Sequence, residues 1–246
     1  MLLLDVTQEN SRGRECWVWF AESPFRPAGY EIAVFKEARL EVRHKGLQPE
    51  PFHTLWSDLT GSAEELLSKL SPGKRRDLGI ARNRGWSIRY GNSADEIRGF
   101  HQAHTVFAST KDIGLPLAVS LLQRNADHCL VAFVNDSEQR LICWNCYLLD
   151  KPIARWWYAG SDLAHQKPSD RGYAATLLHW DMMLYLRSRG FQTYDWGGVV
   201  LDENDPAYPI TRFKASFGGT HQQRFDYYCR FSPPIAQRLW RRLRCR

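Results

Sequence analysis

Apolar positions return along this chain with two different periods, and the alternation of those periods outlines the fold. Between residues 172 and 189 they recur every three or four positions. Ala174, Leu177, Leu178, Met182, Tyr185 and Leu186 share one broad face, which predicts a long helix. Gly190 follows, free to take the left-handed conformation that ends helices, and residues 193–196 then read as a strand running into Gly197-Gly198. Upstream, residues 129–134, 141–149 and 153–159 are short apolar runs. They are separated by Asn135-Asp136-Ser137 and Asp150-Lys151-Pro152, which predicts a meander of strands. Ser62 caps a predicted helix carrying Leu66, Leu67 and Leu70, and Ser71-Pro72 opens another that runs to about residue 84. Gly85 stops it, residues 86–90 read as a strand, and a helix over 94–108 comes next. In the first fifty residues, strands at 15–20 and 30–35 flank the turn-forming stretch 23–29. This order predicts an α/β (α+β) protein with a mixed sheet and helices against it. No glycine-rich turn follows an early strand, so a doubly wound dinucleotide-binding domain is excluded.

Composition adjusts this picture only slightly. Over 246 residues, 43% are hydrophobic and 24% charged, an ordinary globular balance. The apolar start is cut short by Asp5, and no stretch approaches the roughly 18 apolar residues of a membrane span. A cytoplasmic protein without a membrane span is expected. Cys16, Cys129, Cys143, Cys146, Cys229 and Cys245 mostly adjoin apolar runs and read as reduced, buried thiols. Cys143 and Cys146 form a CxxC inside a predicted strand, where residues three apart face opposite ways, so no metal site is expected. His101 and His104 lie one helical turn apart without a third ligand nearby. The net charge of +6 favours acidic partners such as phosphates, nucleotides or RNA.

The densest chemistry lies near the C-terminal third. Pro209 can open a short helix and Gly218 can close it, and on that helix Ile210, Phe213, Lys214 and Phe217 share one face. A lysine among core-facing residues must snorkel to the edge, pair with a carboxylate, or reach into a cavity. In a cavity its ammonium could stabilise charge developing on a carbonyl oxygen under attack. Asp195 is either a general base for an incoming amine or a fastener of the following loop. Gly197 and Gly198 permit a tight strand exit or the close approach of a ligand. Two basic clusters could meet RNA: Lys74, Arg75, Arg76, Arg82 and Arg84, and the tail with Arg238, Arg241, Arg242, Arg244 and Arg246. The tail also carries Ile235, Leu239 and Leu243 at helical spacing, so it reads as an amphipathic helix with a basic outer face. Trp156-Trp157-Tyr158 alternates faces on a predicted strand, which does not make a base-stacking platform.

Trp180-Asp181, Gly190, Tyr194-Asp195-Trp196-Gly197-Gly198, Arg212-Phe213-Lys214 and Phe217-Gly218-Gly219, in that order, resemble the Fem-type (FemABX-like) aminoacyltransferases. These form a GNAT-like branch of the acyltransferases. The segment from Lys74-Arg75-Arg76 to Gly85 also resembles the region upstream of their second domain, and the likeness covers roughly residues 55–230. It implies a GNAT-like mixed sheet flanked by helices. Residues 1–90 would be a short or incomplete N-terminal GNAT-like portion with a basic helix, and 91–246 the acyltransferase domain. It implies that Lys214 stabilises the transferred aminoacyl group and carries over no other catalytic residue; Arg212, Phe213, Trp196, Gly197 and Gly198 are the candidate substrate contacts. Aminoacyl-tRNA would be the co-substrate, with no permanently bound cofactor, and a small-molecule or peptide amine the acceptor. An acyl-CoA donor is the alternative. Ser169-Asp170-Arg171-Gly172-Tyr173-Ala174 partly resembles the pyrophosphate loop of simple acetyltransferases, with Arg171 and Gly172 as the phosphate contacts. A non-catalytic RNA-binding protein on the same scaffold is a third reading.

Overall fold

Alternation along the early strands shows how the chain begins to fold. In a computed structural model describing residues 1–9, 11, 13–43, 46–164 and 167–231, β2 (Glu15–Trp19) buries Cys16 and Val18 while Glu15 and Trp17 stay half-buried. It pairs antiparallel with β1 (Leu2–Asp5) and parallel with β3 (Ile32–Ala38). β3 in turn pairs antiparallel with residues 225–230 of β10 (Thr220–Arg230). Their apolar faces close on Phe35, Ala33, Phe225, Tyr227 and Leu47. Lys36 holds Asp226 at 2.6 Å, and the Tyr227 hydroxyl donates to the Leu40 carbonyl at 2.7 Å. These elements belong to one compact unit, residues 1–52 with 223–246, which has no helix among its described residues.

The second unit spans residues 53–222. Its strands run in the order β4 (Glu50–Asp58), β9 (Thr193–Gly198), β8 (Ile153–Ser161), β7 (Leu141–Asp150), β6 (Cys129–Asn135), β5 (Ser87–Gly91). β5 to β8 form an antiparallel meander, β8 and β9 are parallel, and β9 and β4 antiparallel. β6 and β7 are buried at nearly every position, so helices must cover both faces. α5 (Pro168–Ser188) and α3 (Ala94–Lys111) both pack on them, and α2 (Pro72–Arg82) packs on α5. α4 (Val119–Arg124) packs on α3. α1 (Ala63–Lys69) and α3 each begin with a reciprocal capping box, Ser62 with Glu65 and Ser93 with Glu96, each cap contributing about 1 kcal/mol.

The chain thus divides at residues 52/53 and 222/223 rather than near residue 90. α1, α2 and β5 share the apolar core of the second unit: Leu66, Leu70 and Leu78 meet Leu178, Met182 and Trp196 there. α5 begins at Pro168, so residues 169–174 lie in its first turns rather than in a loop before it. The basic tail and Cys245 lie outside the described residues.

Candidate active site

The parallel pairing of β8 with β9 covers three residue pairs and ends at Arg155↔Asp195. β8 continues to Ser161, still paired with β7, while β9 turns off at Gly197-Gly198. The point where the two parallel strands part is where the candidate residues gather.

Asp195 is fully buried, and both of its carboxylate oxygens are occupied. One accepts from the Thr54 hydroxyl at 2.5 Å and from the Gly197 N–H at 2.8 Å; the other faces the Arg155 guanidinium at 3.3 Å. The carboxylate therefore fastens the β9 turn and, with no exposed surface, is closed to an incoming amine, which favours the structural alternative over the general base. The turn needs a glycine: Gly197 has φ +69°, and a Cβ there would meet the Trp156 carbonyl at 2.9 Å. Trp196 is likewise buried, its indole N–H donating to Ser57 at 2.9 Å, so it belongs to the core rather than to a substrate surface.

α6 (Tyr208–Ala215) opens with Pro209 in its first turn and brings Lys214 over this turn. The Lys214 ammonium is buried, donates to the Gly198 carbonyl at 2.6 Å, and lies 5.0 Å from the centre of the Trp156 ring. An ammonium has three N–H donors, and among the described residues no other hydrogen-bond acceptor takes Lys214. Burial, with the Arg155 guanidinium adding to it and Asp195 opposing, lowers its pKa to about 8. Phe213 and Phe217, on either side of it in sequence, meet edge-to-face with ring centres 5.3 Å apart. Ile210, read as core-facing, is instead exposed at a cavity mouth, and Arg212 is exposed on the other side of the helix.

That cavity, about 650 Å³, is lined by Trp156, His179, Phe213, Ile210, Asn145 and Arg171 among others. Its size suits a small-molecule site. The buried indole N–H of Trp156 has no acceptor among the described residues. His179 enters from α5, its ring centre 4.4 Å from Trp156 and 5.6 Å from Phe213. Its Nδ1 lies 2.6 Å from the Tyr194 hydroxyl, which donates to the Tyr147 oxygen at 3.2 Å; Asn145 donates to the same oxygen at 2.8 Å. Burial, then the Lys214 and Lys74 ammoniums, hold His179 far below the usual imidazole pKa, so it is neutral. His179, Tyr194, Tyr147, Asn145 and Arg155 were not singled out from the sequence. The available signal was a histidine between Leu178 and Trp180 on a helix otherwise apolar at those positions.

The first basic cluster does not form a single surface. Lys74 turns inward, 4.5 Å from the Phe213 ring, and donates to the Thr176 hydroxyl at 3.1 Å. Lys74 shares a helix face with the buried Leu78 and Ala81, and its charge is met by Asp77 at 3.4 Å and by the Phe213 and Phe217 rings. Arg75 donates to the Ser68 and Leu70 carbonyls at 3.1 and 2.6 Å, closing the end of α1. Arg76 and Arg82 are exposed, the latter 5.8 Å from the Trp180 ring centre. Of the acetyltransferase-like segment, Asp170 is paired with Arg84 at 3.0 Å, Gly172 lies within the helix, and Arg171 borders the cavity. Among the described residues no group of three or more His, Cys, Asp or Glu side chains is placed to hold a metal ion. Nor is any helix there long and apolar enough to cross a membrane.

No protein-family model matches the chain, and no curated protein sequence does. Solved structures do. FemX superposes with a TM-score of 0.68 over 96% of this chain and 86% of its own, at 12% identity. The chain thus has the fold of FemX. The C-terminal domain of a putative lysylphosphatidylglycerol synthetase from Agrobacterium fabrum matches at TM-score 0.55 and 12% identity, over 82% of this chain and 68% of that one. L-PGS from Bacillus licheniformis matches at 0.54 and 13%, over 87% and 73%. At these identities the likeness is one of fold. The chain carries its Phe213-Lys214 pair on the helix that overhangs the parting of β8 and β9.

Proposed function

We propose that this chain is an acyltransferase that moves an aminoacyl group from aminoacyl-tRNA to the amine of a small molecule or peptide. The observation that carries the reading is the Lys214 ammonium. It is buried 5.0 Å from the ring centre of Trp156, which with Phe213 lines a small-molecule-sized cavity; it is anchored through one N–H to the Gly198 carbonyl and left with donors to spare. When an amine attacks an ester carbonyl, negative charge grows on the carbonyl oxygen. A fixed ammonium in a dry setting stabilises that charge without reorganising. With a pKa of about 8 the side chain is still mostly protonated at neutral pH. Holding ester and amine together adds to the acceleration. The net charge of +6 and the exposed Arg76 and Arg82 favour a polyanionic donor.

The test is transfer of radiolabelled amino acids from total charged tRNA to a panel of primary amines. Transfer by the wild type, loss on ribonuclease treatment and a fall of about 10²-fold or more in Lys214→Met, folded by circular dichroism, is the expected result. Undiminished transfer by Lys214→Met removes the lysine from the mechanism. Transfer that survives ribonuclease and requires acyl-CoA reassigns the donor, with Arg171 at the cavity as its first phosphate contact. Salt-dependent tRNA binding without turnover overturns the enzymatic reading.

A further inference from the structure

Four buried polar groups from three elements form one hydrogen-bonded chain behind the cavity: His179 on α5, Tyr194 on β9, and Tyr147 and Asn145 on β7. Both ends of this chain, His179 and Asn145, line the cavity, and none of the four is more than a few per cent exposed. Burying such a set in a core otherwise made of Trp156, Trp196, Phe213 and Phe217 is costly unless its members hydrogen-bond to one another.

The direction of the Tyr194–Tyr147 hydrogen bond decides the tautomer of the imidazole. Tyr194 has one hydroxyl hydrogen, and it goes to Tyr147. The Tyr194 oxygen must then accept, so at 2.6 Å the proton between it and His179 sits on Nδ1. A neutral imidazole protonated at Nδ1 carries its lone pair on Nε2. Among the described residues Nε2 has no hydrogen-bond partner, although the ring borders the cavity.

From this geometry we infer that His179 is the proton acceptor of the transfer reaction, with Tyr194 as the positioning residue that holds its tautomer. The inference rests on the acyl-transfer reading above. The acceptor amine attacks the ester carbonyl carbon; a C–N bond forms, and the π electrons move to the oxygen, which faces the Lys214 ammonium. The nitrogen, now cationic, passes its proton to Nε2 of His179. The C=O bond then re-forms and the bond to the leaving ester oxygen breaks, and the imidazolium returns the proton to that oxygen. The sum is ester plus amine to amide plus alcohol, and His179 ends neutral.

Two measurements test this, one of them without turnover. Long-range ¹H–¹⁵N correlation on labelled protein should show His179 as the Nδ1–H tautomer, with that assignment lost or mixed in Tyr194→Phe. A proton on Nε2 in the wild type overturns the assignment even if the true substrates are never found. In the charged-tRNA transfer assay, His179→Gln should lower kcat by about 10²–10³-fold, the usual share of general-base catalysis. His179→Ala should recover activity on addition of imidazole, which the vacated site can take up. Folded His179→Gln with more than half of wild-type kcat refutes the role. So does a His179→Ala protein that folds yet stays inactive at saturating imidazole. If instead the wild type transfers nothing from tRNA or acyl-CoA, the acyl-transfer reading fails, and the tautomer measurement still decides the proton placement.

Discussion

Replacing Lys214 by methionine should remove activity and leave the protein at least as stable, because the lysine is held charged where charge is unfavourable. The pKa of about 8 against an ordinary 10.5 is a difference of about 2.5 units, or about 3.4 kcal/mol of preference for the neutral form at this position. Methionine fills a similar volume without the charge but leaves the Gly198 carbonyl without its donor, at about 1–3 kcal/mol. The net expectation at pH 7 is a stabilisation of about 0.5–2 kcal/mol. The pH dependence carries a definite sign. Between pH 8 and 10.5 the unfolded lysine binds a proton that the folded one has released, so wild-type stability rises with pH through that window. At pH 9.5 the wild type should have gained about 2 kcal/mol on Lys214→Met relative to pH 7. Urea unfolding of both proteins at pH 7.0 and 9.5 measures the difference, and the tyrosines and cysteines common to both cancel in it. A variant less stable than wild type by more than 1 kcal/mol at pH 7, with no change in that gap at pH 9.5, would refute the account of Lys214 as a strained functional charge.

The same protonation step sets the rate: since the ammonium is the active form, kcat should be flat below pH 8 and fall tenfold per unit above it, and Lys214→Arg should abolish that limb. Gly197→Ala should cost about 2–3 kcal/mol in denaturant unfolding, because alanine resists φ +69° and its methyl meets the Trp156 carbonyl; a loss under 0.5 kcal/mol would mean the β9 turn relaxes freely. Asp195→Ala leaves Arg155 buried without its carboxylate and should cost about 3–5 kcal/mol, while the double variant with Arg155→Met should recover much of it. Additive effects in that double-mutant cycle would show the pair is not coupled. Arg75→Ala should lose about 1 kcal/mol, as two carbonyls at the end of α1 lose their donor, whereas Arg76→Ala should leave stability unchanged.

Much of the second unit was legible because its elements have strong periods. The helix ending at Gly190, the three-strand meander and the short helix opened by Pro209 all stand close to where apolar spacing puts them. Strand β4 was not, because Pro51, His53, Thr54 and Ser57 interrupt its apolar pattern; its burial is imposed by β9 alongside. β10 was readable in principle, since Phe225, Tyr227 and Cys229 alternate over the residues that pair with β3. A stripe facing a cavity looks the same in sequence as one facing the core, which is why Ile210 was misassigned. Lys74 could have been placed correctly, as it shares a face with Leu78 and Ala81 at positions i, i+4 and i+7. The network around His179 joins residues 145, 147, 179 and 194, and the Arg155–Asp195 pair spans 40 positions. Such contacts depend on strand register and parallel pairing, which local spacing does not encode.

The charges around the cavity also explain why a weakly basic histidine suits this site. Lys214 and Lys74 stand near His179 and Arg155 acts on Lys214, while Asp77 pairs with Lys74 and Asp195 with Arg155, so three cations meet two carboxylates and the buried surroundings stay net positive. A free amine would not give its proton to an imidazole whose pKa is driven down first by burial and then by two ammoniums. The nitrogen of a tetrahedral adduct is different: it is cationic, and the carbon it has joined bears electron-withdrawing oxygens, which makes its N–H far more acidic. A depressed base therefore takes the proton only after the C–N bond has formed, when the neighbouring oxyanion has offset part of the positive field. Once that oxyanion collapses, the field is restored and drives the proton from the imidazolium to the departing oxygen. One arrangement of cations thus favours the intermediate, times the first proton transfer to it, and reverses that transfer as the intermediate breaks down.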